Sequence, residues 1–460
     1  MTDSIQLHSA GTIGGWACPV NPAGRHALHS RPESWFVGDV HYPRNHFHPL
    51  EERLMSRSFR AVSRSTVLCV VAVTAFCLGM WPPPAKAQPA ARPAASEAPV
   101  PLAPAPPKSP QLQPDGTIIF RLAMPNAAKV ELHLEGAAHP FPMAKGADAV
   151  WSVTVPKLAP QYYSYTFDVD GTALLDPHNV TIKPSFFNTQ NVFLVPGQPP
   201  MPWEPSNVPH GALHHHYYRS NIVGINSEYY VYTPPNFESR RNQKYPVLYL
   251  LHGYSDDPSA WTSMGKANVI LDNLIAQGKA MPMIVVMPLG YGTMDMITRG
   301  WIAWRDPELP GRNFTKFTDA LFQEVMPRVK QQYPISDRRE EHAVAGLSMG
   351  GSESLLVGLN HAGDFAYVGS FSAGGLGEGD YGPSFPGITA RSAAEINAKL
   401  RVLWIACGTE DGLLAANQKF IAWLMEKGLQ PITIQTPGMH AWMVWRDNLA
   451  NFAPLLFQSK

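Results

Sequence analysis

The sequence predicts an α/β protein with a mostly parallel, doubly wound sheet, preceded by a small all-β sandwich. Three observations carry this. From residue 221 onward, short apolar runs alternate with helical spacings. Between 111 and 197 the runs are instead β-branched and aromatic, with turn residues between them. Proline-rich segments flank that second region, which therefore reads as a unit of its own.

In the β region, "TIIFRLAMP", "KVELHLEG", "AVWSVTVPKL" and "YYSYTFDVDG" are the strand candidates. Pro125-Asn126, Gly136, Pro160 and Asp170-Gly171 break them at strand-length intervals. In the α/β region, "EYYVYTPP" is a strand, and "YPVLYLLHG" is apolar enough to be buried on both faces. "ANVILDNLIAQG" is helical and ends at Gly278, and "MIVVMPLG" is another buried strand. "FTKFTDALFQEVMPRVKQQY" has helical spacing through Phe317, Leu321, Val325 and Val329. "EHAVAGLS" is a strand followed by the helix "GGSESLLVGLN"; "YVGSFSAG" and "LRVLWIACG" are two further strands.

The chain has 460 residues, more than one typical core accommodates. Lys plus Arg and Asp plus Glu are 36 each, so no excess of charge calls for nucleic acid or an anionic membrane as partner. Residues 1–54 lack periodicity and hold six of the 17 histidines, His41, His46 and His48 among them. They read as an over-long start, with Met55 as the initiator. Residues 55–87 read as a secretory signal. Arg57, Arg60 and Arg64 are its basic start, 66–81 its apolar run and Ala85-Lys86-Ala87 its cleavage signature. That run of 16 residues is short for a membrane span. The expected product is secreted or periplasmic and has no membrane partner. Of the four cysteines it keeps Cys407 alone, so it has no internal disulfide. Residues 88–110 hold eight prolines and read as an extended tether. The sandwich is then 111–197, a proline-rich connector 198–220, and the α/β domain 221–460.

The chemistry is suggested by "AVAGLSMGG", residues 343–351. It fits Gly-x-Ser-x-Gly, in which a strand turns sharply into a helix with the serine at the strained apex. Side chains at Gly346 or Gly350 would collide with neighbouring backbone. Downstream, "ACGTEDGLL" places Glu410 and Asp411 in the turn after a strand, and "TPGMHAWMVWRDNL" places His440 in a loop. The order Ser348, Asp411, His440 is that of α/β-hydrolases. Asp411 is the better acid, because Gly412 lets the chain turn closely and the shorter side chain is more fixed. Upstream, "LHGYSDD" ends an apolar strand. There the backbone N–H of Tyr254 can join that of Met349 in an oxyanion hole.

The stretch from about 220 to 455 resembles the bacterial esterase family that includes feruloyl esterases, siderophore esterases and mycolyltransferases. "VYTPPNF", "YPVLYLLHG", "AGLSMGG", "GTEDGLL" and "GMHAWMVWRDNL" carry the resemblance. It implies Ser348 as nucleophile, His440 as base and Asp411 as orienting acid, with no cofactor or metal. "YSYTFDVDGTALLDPHN" resembles the early-set, immunoglobulin-like domains found ahead of some glycan-active enzymes and esterases. Such a domain binds carbohydrate in some proteins and only packs in others. In either case its deletion is expected to spare turnover of small soluble esters, provided the catalytic domain stays folded.

Other residues have two readings. His214, His215 and His216 with His210 look like a metal cluster, but adjacent residues point in different directions on any regular backbone. Trp261, Trp301 and Trp304 follow strand ends, where pockets form, and either wall an acyl site or roof the core. Trp445 reads as packing that positions the His440 loop. The expected activity is a serine carboxylic-ester hydrolase acting on feruloyl or acetyl esters of plant polysaccharide. The alternatives are a siderophore esterase, an acyltransferase, or a catalytically dead carbohydrate-binding protein. The oligomeric state is not legible.

Overall fold

The computed structural model describes residues 107–458 except 241, 390 and 391. The expected early start, the signal segment and nearly all of the tether lie outside these residues. What is described falls within one compact unit.

Residues 111–195 form two antiparallel sheets. One runs Gln111–Leu112, Ile118–Ala123, Val150–Val155, Ala144–Lys145 in spatial order. The other runs Phe141–Pro142, Val130–Leu134, Gln161–Val169, Gln190–Val195, Ile182–Lys183, with Thr172–Leu174 added beside Gln161–Val169. The cause is the period-two pattern: in Val130–Leu134, Val130, Leu132 and Leu134 are buried while His133 is exposed. Phe120, Tyr165 and Phe167 meet between the sheets, with Phe120 and Tyr165 edge to face at 5.0 Å. All four expected strands are present. Gln190–Val195 is an addition, missed because it runs directly into the proline-rich stretch that opens with Pro196 and Pro199.

The second region is an eight-stranded sheet. Its strands are β1 (Ala212–Arg219), β2 (Asn226–Thr233), β3 (Val247–Leu251), β4 (Ile284–Pro288), β5 (His342–Leu347), β6 (Tyr367–Phe371), β7 (Val402–Gly408) and β8 (Ile432–Thr436). The spatial order is β1-β2-β4-β3-β5-β6-β7-β8. The pairs β1/β2 and β2/β4 are antiparallel; all others are parallel. Strands β3, β4, β6 and β7 are buried along their whole length, as apolar runs covered by helices on both faces must be.

The connector assignment of 198–220 needs correction, because Ala212–Arg219 is the edge strand of the large sheet. Its sequence, ALHHHYYR, lacks an apolar face, so no alternation marked it. It is recruited by eight pairings with β2. Along it His215 stacks on Tyr230, while His216 stacks on Tyr229 and bonds the Tyr333 hydroxyl at 2.6 Å. The long expected helix starts early, as α1 (Leu309–Ala320), and passes through a π turn at Leu321–Val325 into Met326–Gln332. Pro327 has no N–H to give the helical ladder, and the wider turn accommodates that gap. Among the described residues no helix is long and apolar enough to cross a membrane.

The sandwich is tied to the α/β region by buried polar contacts. Arg446 lies on α4 (Trp442–Phe452), the helix that follows α3 (Leu414–Glu426) and β8, and is fully buried. It donates to the Gln161 side chain at 2.8 Å, the Tyr162 carbonyl at 2.6 Å and the Met264 carbonyl at 2.7 Å. Burial pulls its pKa down to about 10, where it still carries its charge at neutral pH.

Candidate active site

The site is assembled at the carboxyl ends of the parallel strands, where an α/β sheet forms its crevice. Ser348 follows β5 and precedes α2 (Met349–Asn360). Its φ of 51° lies in the left-handed region, an unfavourable conformation for a residue with a Cβ. The surroundings hold it there. Its N–H donates to the Phe371 carbonyl at 2.9 Å, and its carbonyl accepts from Gly374 and Ser352. A Cβ on Gly346 would overlap the Gly350 carbonyl, and one on Gly350 would stand 2.5 Å from the His252 carbonyl oxygen. Both glycines are therefore required by backbone contact.

His440 Nε2 stands 3.0 Å from Ser348 Oγ, and His440 Nδ1 stands 2.9 Å from Asp411 Oδ2. The three side chains arrive from separate strand ends, after β5, β7 and β8. The Asp411 side chain is wholly buried and that of His440 about one-third exposed. Burial pushes the Asp411 carboxyl up. The His440 bond and charge, the Leu413 N–H at 2.8 Å and the Ser372 hydroxyl more than offset this, and the net shift is downward. Asp411 is therefore ionised at neutral pH. Glu410, its neighbour, is exposed.

Tyr254 follows β3 and Met349 opens α2, and their backbone N–H groups have no hydrogen-bond acceptor among the described residues. The Tyr254 loop abuts the serine: a Cβ on Gly253 would stand 3.3 Å from Ser348 Cβ. His252 orders that loop. Its Nδ1–H donates to the Gly253 carbonyl at 2.8 Å, and its Nε2 accepts the Gly290 N–H at 2.9 Å. Burial pushes its pKa down, which keeps this tautomer neutral.

The tryptophan candidates separate. Trp261 is fully buried, packs edge-on to Trp442 at 5.2 Å and donates its ring N–H to the Leu251 carbonyl. It belongs to the core, so the pocket-wall reading of Trp261 is corrected. Trp301 is 63% exposed and Trp304 half-buried. Both stand edge-on to the Tyr254 ring, at 4.8 and 5.2 Å, beside the crevice. Trp445 stands edge-on to the His440 ring at 4.9 Å and donates to the Ser372 hydroxyl at 3.2 Å. Ser372, at φ 53°, was not legible as a site residue, because a serine in "YVGSFSAG" has no motif around it. Among the described residues no group of three or more His, Cys, Asp or Glu is placed to hold a metal ion. His214 instead bonds Thr233, and His215 pairs with Glu228.

This geometry agrees with what the chain is similar to. An endo-1,4-beta-xylanase/feruloyl esterase of Xylanibacter ruminicola is 27% identical over 357 residues, 76% of this chain and 46% of that protein. The chain thus spans about half the length of that curated relative. An acetyl esterase of Caldicellulosiruptor saccharolyticus is 23% identical over 234 residues, 45% of this chain and 80% of that protein. The enterobactin esterase of Shigella flexneri shares the fold, with a TM-score of 0.54 at 21% identity, covering 73% of this chain and 92% of that one. The Esterase family model matches residues 220–454, and the chain belongs to that family.

Proposed function

We propose that this protein is a secreted serine carboxylic-ester hydrolase acting on feruloyl or acetyl esters of plant cell-wall polysaccharide. One observation carries the reading: the unbroken hydrogen-bonded chain Ser348–His440–Asp411 beside two unengaged backbone N–H groups. His440 Nε2 takes the proton of Ser348 as Oγ attacks the ester carbonyl. The Tyr254 and Met349 amides stabilise the tetrahedral oxyanion, and Asp411 steadies the imidazolium. His440 then protonates the leaving alcohol and activates water to release the acid. The chemistry asks for no metal or cofactor.

The substrate class is supported by the relatives' activities and by Trp301 and Trp304, which flank the crevice as an aromatic acyl group would require. We read 111–197 as an early-set, immunoglobulin-like domain, in keeping with its two antiparallel sheets. Export by a signal at 55–87 completes the reading.

The test is turnover of methyl ferulate, acetylated xylan and a triscatecholate ester by the wild type and by Ser348→Ala. The expected result is hydrolysis of one of the first two and a loss of about 10⁴- to 10⁶-fold in the variant, since triad members act as a unit. Preference for the catecholate ester would move the protein to siderophore hydrolysis. Wild-type turnover by Ser348→Ala would remove the serine from the mechanism.

A further inference from the structure

The loop that carries the Tyr254 amide is held from outside the α/β domain. Ser255, next to Tyr254, has a φ of 72°, again in the left-handed region, and is buried. Such a conformation persists only where neighbours over-determine it. Two of those neighbours come from the sandwich. The Ser255 carbonyl accepts from the Phe186 N–H at 2.7 Å and from the Ser185 hydroxyl at 2.8 Å. One residue on, the Asp256 carboxylate forms an ion pair with the Lys183 ammonium at 2.6 Å, with both side chains buried. Lys183 sits in strand Ile182–Lys183, which pairs with Gln190–Val195 of the sandwich sheet. Phe187 then packs on the Tyr254 ring at 5.6 Å.

These contacts converge on one short stretch. Its inner side is fixed by the His252 bond to the Gly253 carbonyl and by the Tyr291 hydroxyl on the Asp256 carbonyl at 3.2 Å. Residues 183–187 hold its other side at the Ser255 carbonyl and the Asp256 carboxylate, while the Tyr254 ring is held by Trp301, Trp304 and its hydroxyl bond to the Met296 carbonyl at 2.6 Å. A carboxylate as deeply buried as Asp256 needs a partner, and burial pushes its pKa up even beside Lys183. Without the ammonium the group takes up a proton or turns toward water, and the turn at Ser255 loses one of the contacts that hold it.

The geometry points to Lys183 as a positioning residue for the oxyanion hole, acting through Asp256 on the Tyr254 amide, so that the sandwich is a structural part of the catalytic site. This rests on the proposed ester hydrolysis. An amide donor aimed at a developing oxyanion contributes mainly to kcat, and a displacement of about 1 Å costs on the order of 10²-fold.

The test uses the full chain with p-nitrophenyl acetate and a phenylboronic acid. The boronic acid adds to Ser348 Oγ, whose proton passes to His440, and the tetrahedral adduct places an oxygen in the oxyanion hole. In Lys183→Met, kcat is expected to fall about 10- to 100-fold, a partial loss of an oxyanion donor, with KM within about twofold. Boronate affinity is expected to fall in parallel, and Lys183→Arg to recover most of both. Wild-type kcat in Lys183→Met overturns the proposal, as does a kcat loss with undiminished boronate affinity. If Lys183→Met does not fold, Ser185→Ala removes one bond to the Ser255 carbonyl, and wild-type kcat there overturns it too. A wild type that turns over no ester removes the esterase reading itself; an active wild type with an unaffected Lys183→Met removes only the positioning role.

Discussion

The Glu135 carboxylate of the sandwich accepts the backbone N–H of Trp442 at 3.1 Å, two residues past His440. A helix N-terminus leaves its first N–H groups without intrahelical partners, and a carboxylate there also meets the positive end of the helix dipole. Here the cap of α4 is supplied by another layer of the molecule. The same carboxylate accepts from the Ser164 N–H at 3.0 Å, which fixes it in place.

Glu135→Ala is expected to destabilise the protein by about 1–2 kcal/mol, the usual cost of losing a helix cap and its bonded partners. Urea denaturation checks this. Glu135→Gln, which retains an acceptor oxygen, should recover about half of the loss or more. Equal losses in the two variants would mean that charge alone matters at this cap.

Deleting residues 107–195 is expected to abolish turnover of small soluble esters as well as polymeric ones. This reverses the expectation for a docked accessory domain. Arg446 would lose Gln161 and the Tyr162 carbonyl, α4 would lose Glu135, and Asp256 would lose Lys183. Tyr162 and Val192 also pack in one core cluster with Leu248, Trp261 and Trp442, so the deletion uncovers apolar surface as well as stripping these partners. Full p-nitrophenyl acetate turnover by the truncated chain would show that the interface is dispensable.

Asp411→Asn is expected to lose about 10³- to 10⁴-fold in kcat, because an amide presents the wrong partner to the His440 ring N–H. Glu410→Gln, at an exposed position, should stay within about tenfold of wild type, as outside a triad. The Asp411 carboxyl lies below its ordinary value of 3.8, so it binds its proton less readily folded than unfolded. Its stabilising contribution is therefore complete above pH 3.8 and is lost as pH falls below it through the folded value. Asp411→Asn should flatten this acid limb in denaturation measured against pH.

Glu353 is fully buried on α2, and neither carboxylate oxygen has a hydrogen-bond partner among the described residues. Burial pushes its pKa well above the ordinary 4.5, so the folded group is neutral where the unfolded one is ionised. The folded state then holds the extra proton, and stability falls with rising pH by about 1.4 kcal/mol per unit above 4.5, until the folded group ionises. Glu353→Gln cannot ionise. It should be more stable than wild type at pH 8 and nearly equal at pH 4.5. Urea midpoints at the two values check this, and an equal offset at both would refute the titration.

The sequence by itself determined the parallel strands, the serine between strand and helix, and the placing of Asp411 and His440 after later strands, because each is a local pattern. β3 and β7 are apolar throughout, and Gly346 answers a contact four residues on, with the Gly350 carbonyl, although Gly350 itself answers the His252 carbonyl at the end of the adjoining strand. Which of Glu410 and Asp411 turns inward was arguable from Gly412 and from the shorter side chain of Asp411. Strand β1 was not legible, because an edge strand needs only a neighbour's free backbone edge and no apolar face. Trp261 and Trp301 are alike in sequence, each a tryptophan after a strand end, yet one is core and the other surface. Only the packing of α4 and the Tyr254 loop separates them. The ties through Glu135, Lys183 and Arg446 span 307, 73 and 285 residues to Trp442, Asp256 and Gln161. No periodicity reports contacts so remote; they exist because two independently patterned sheets bury polar groups against each other, and each such group must find its partner there.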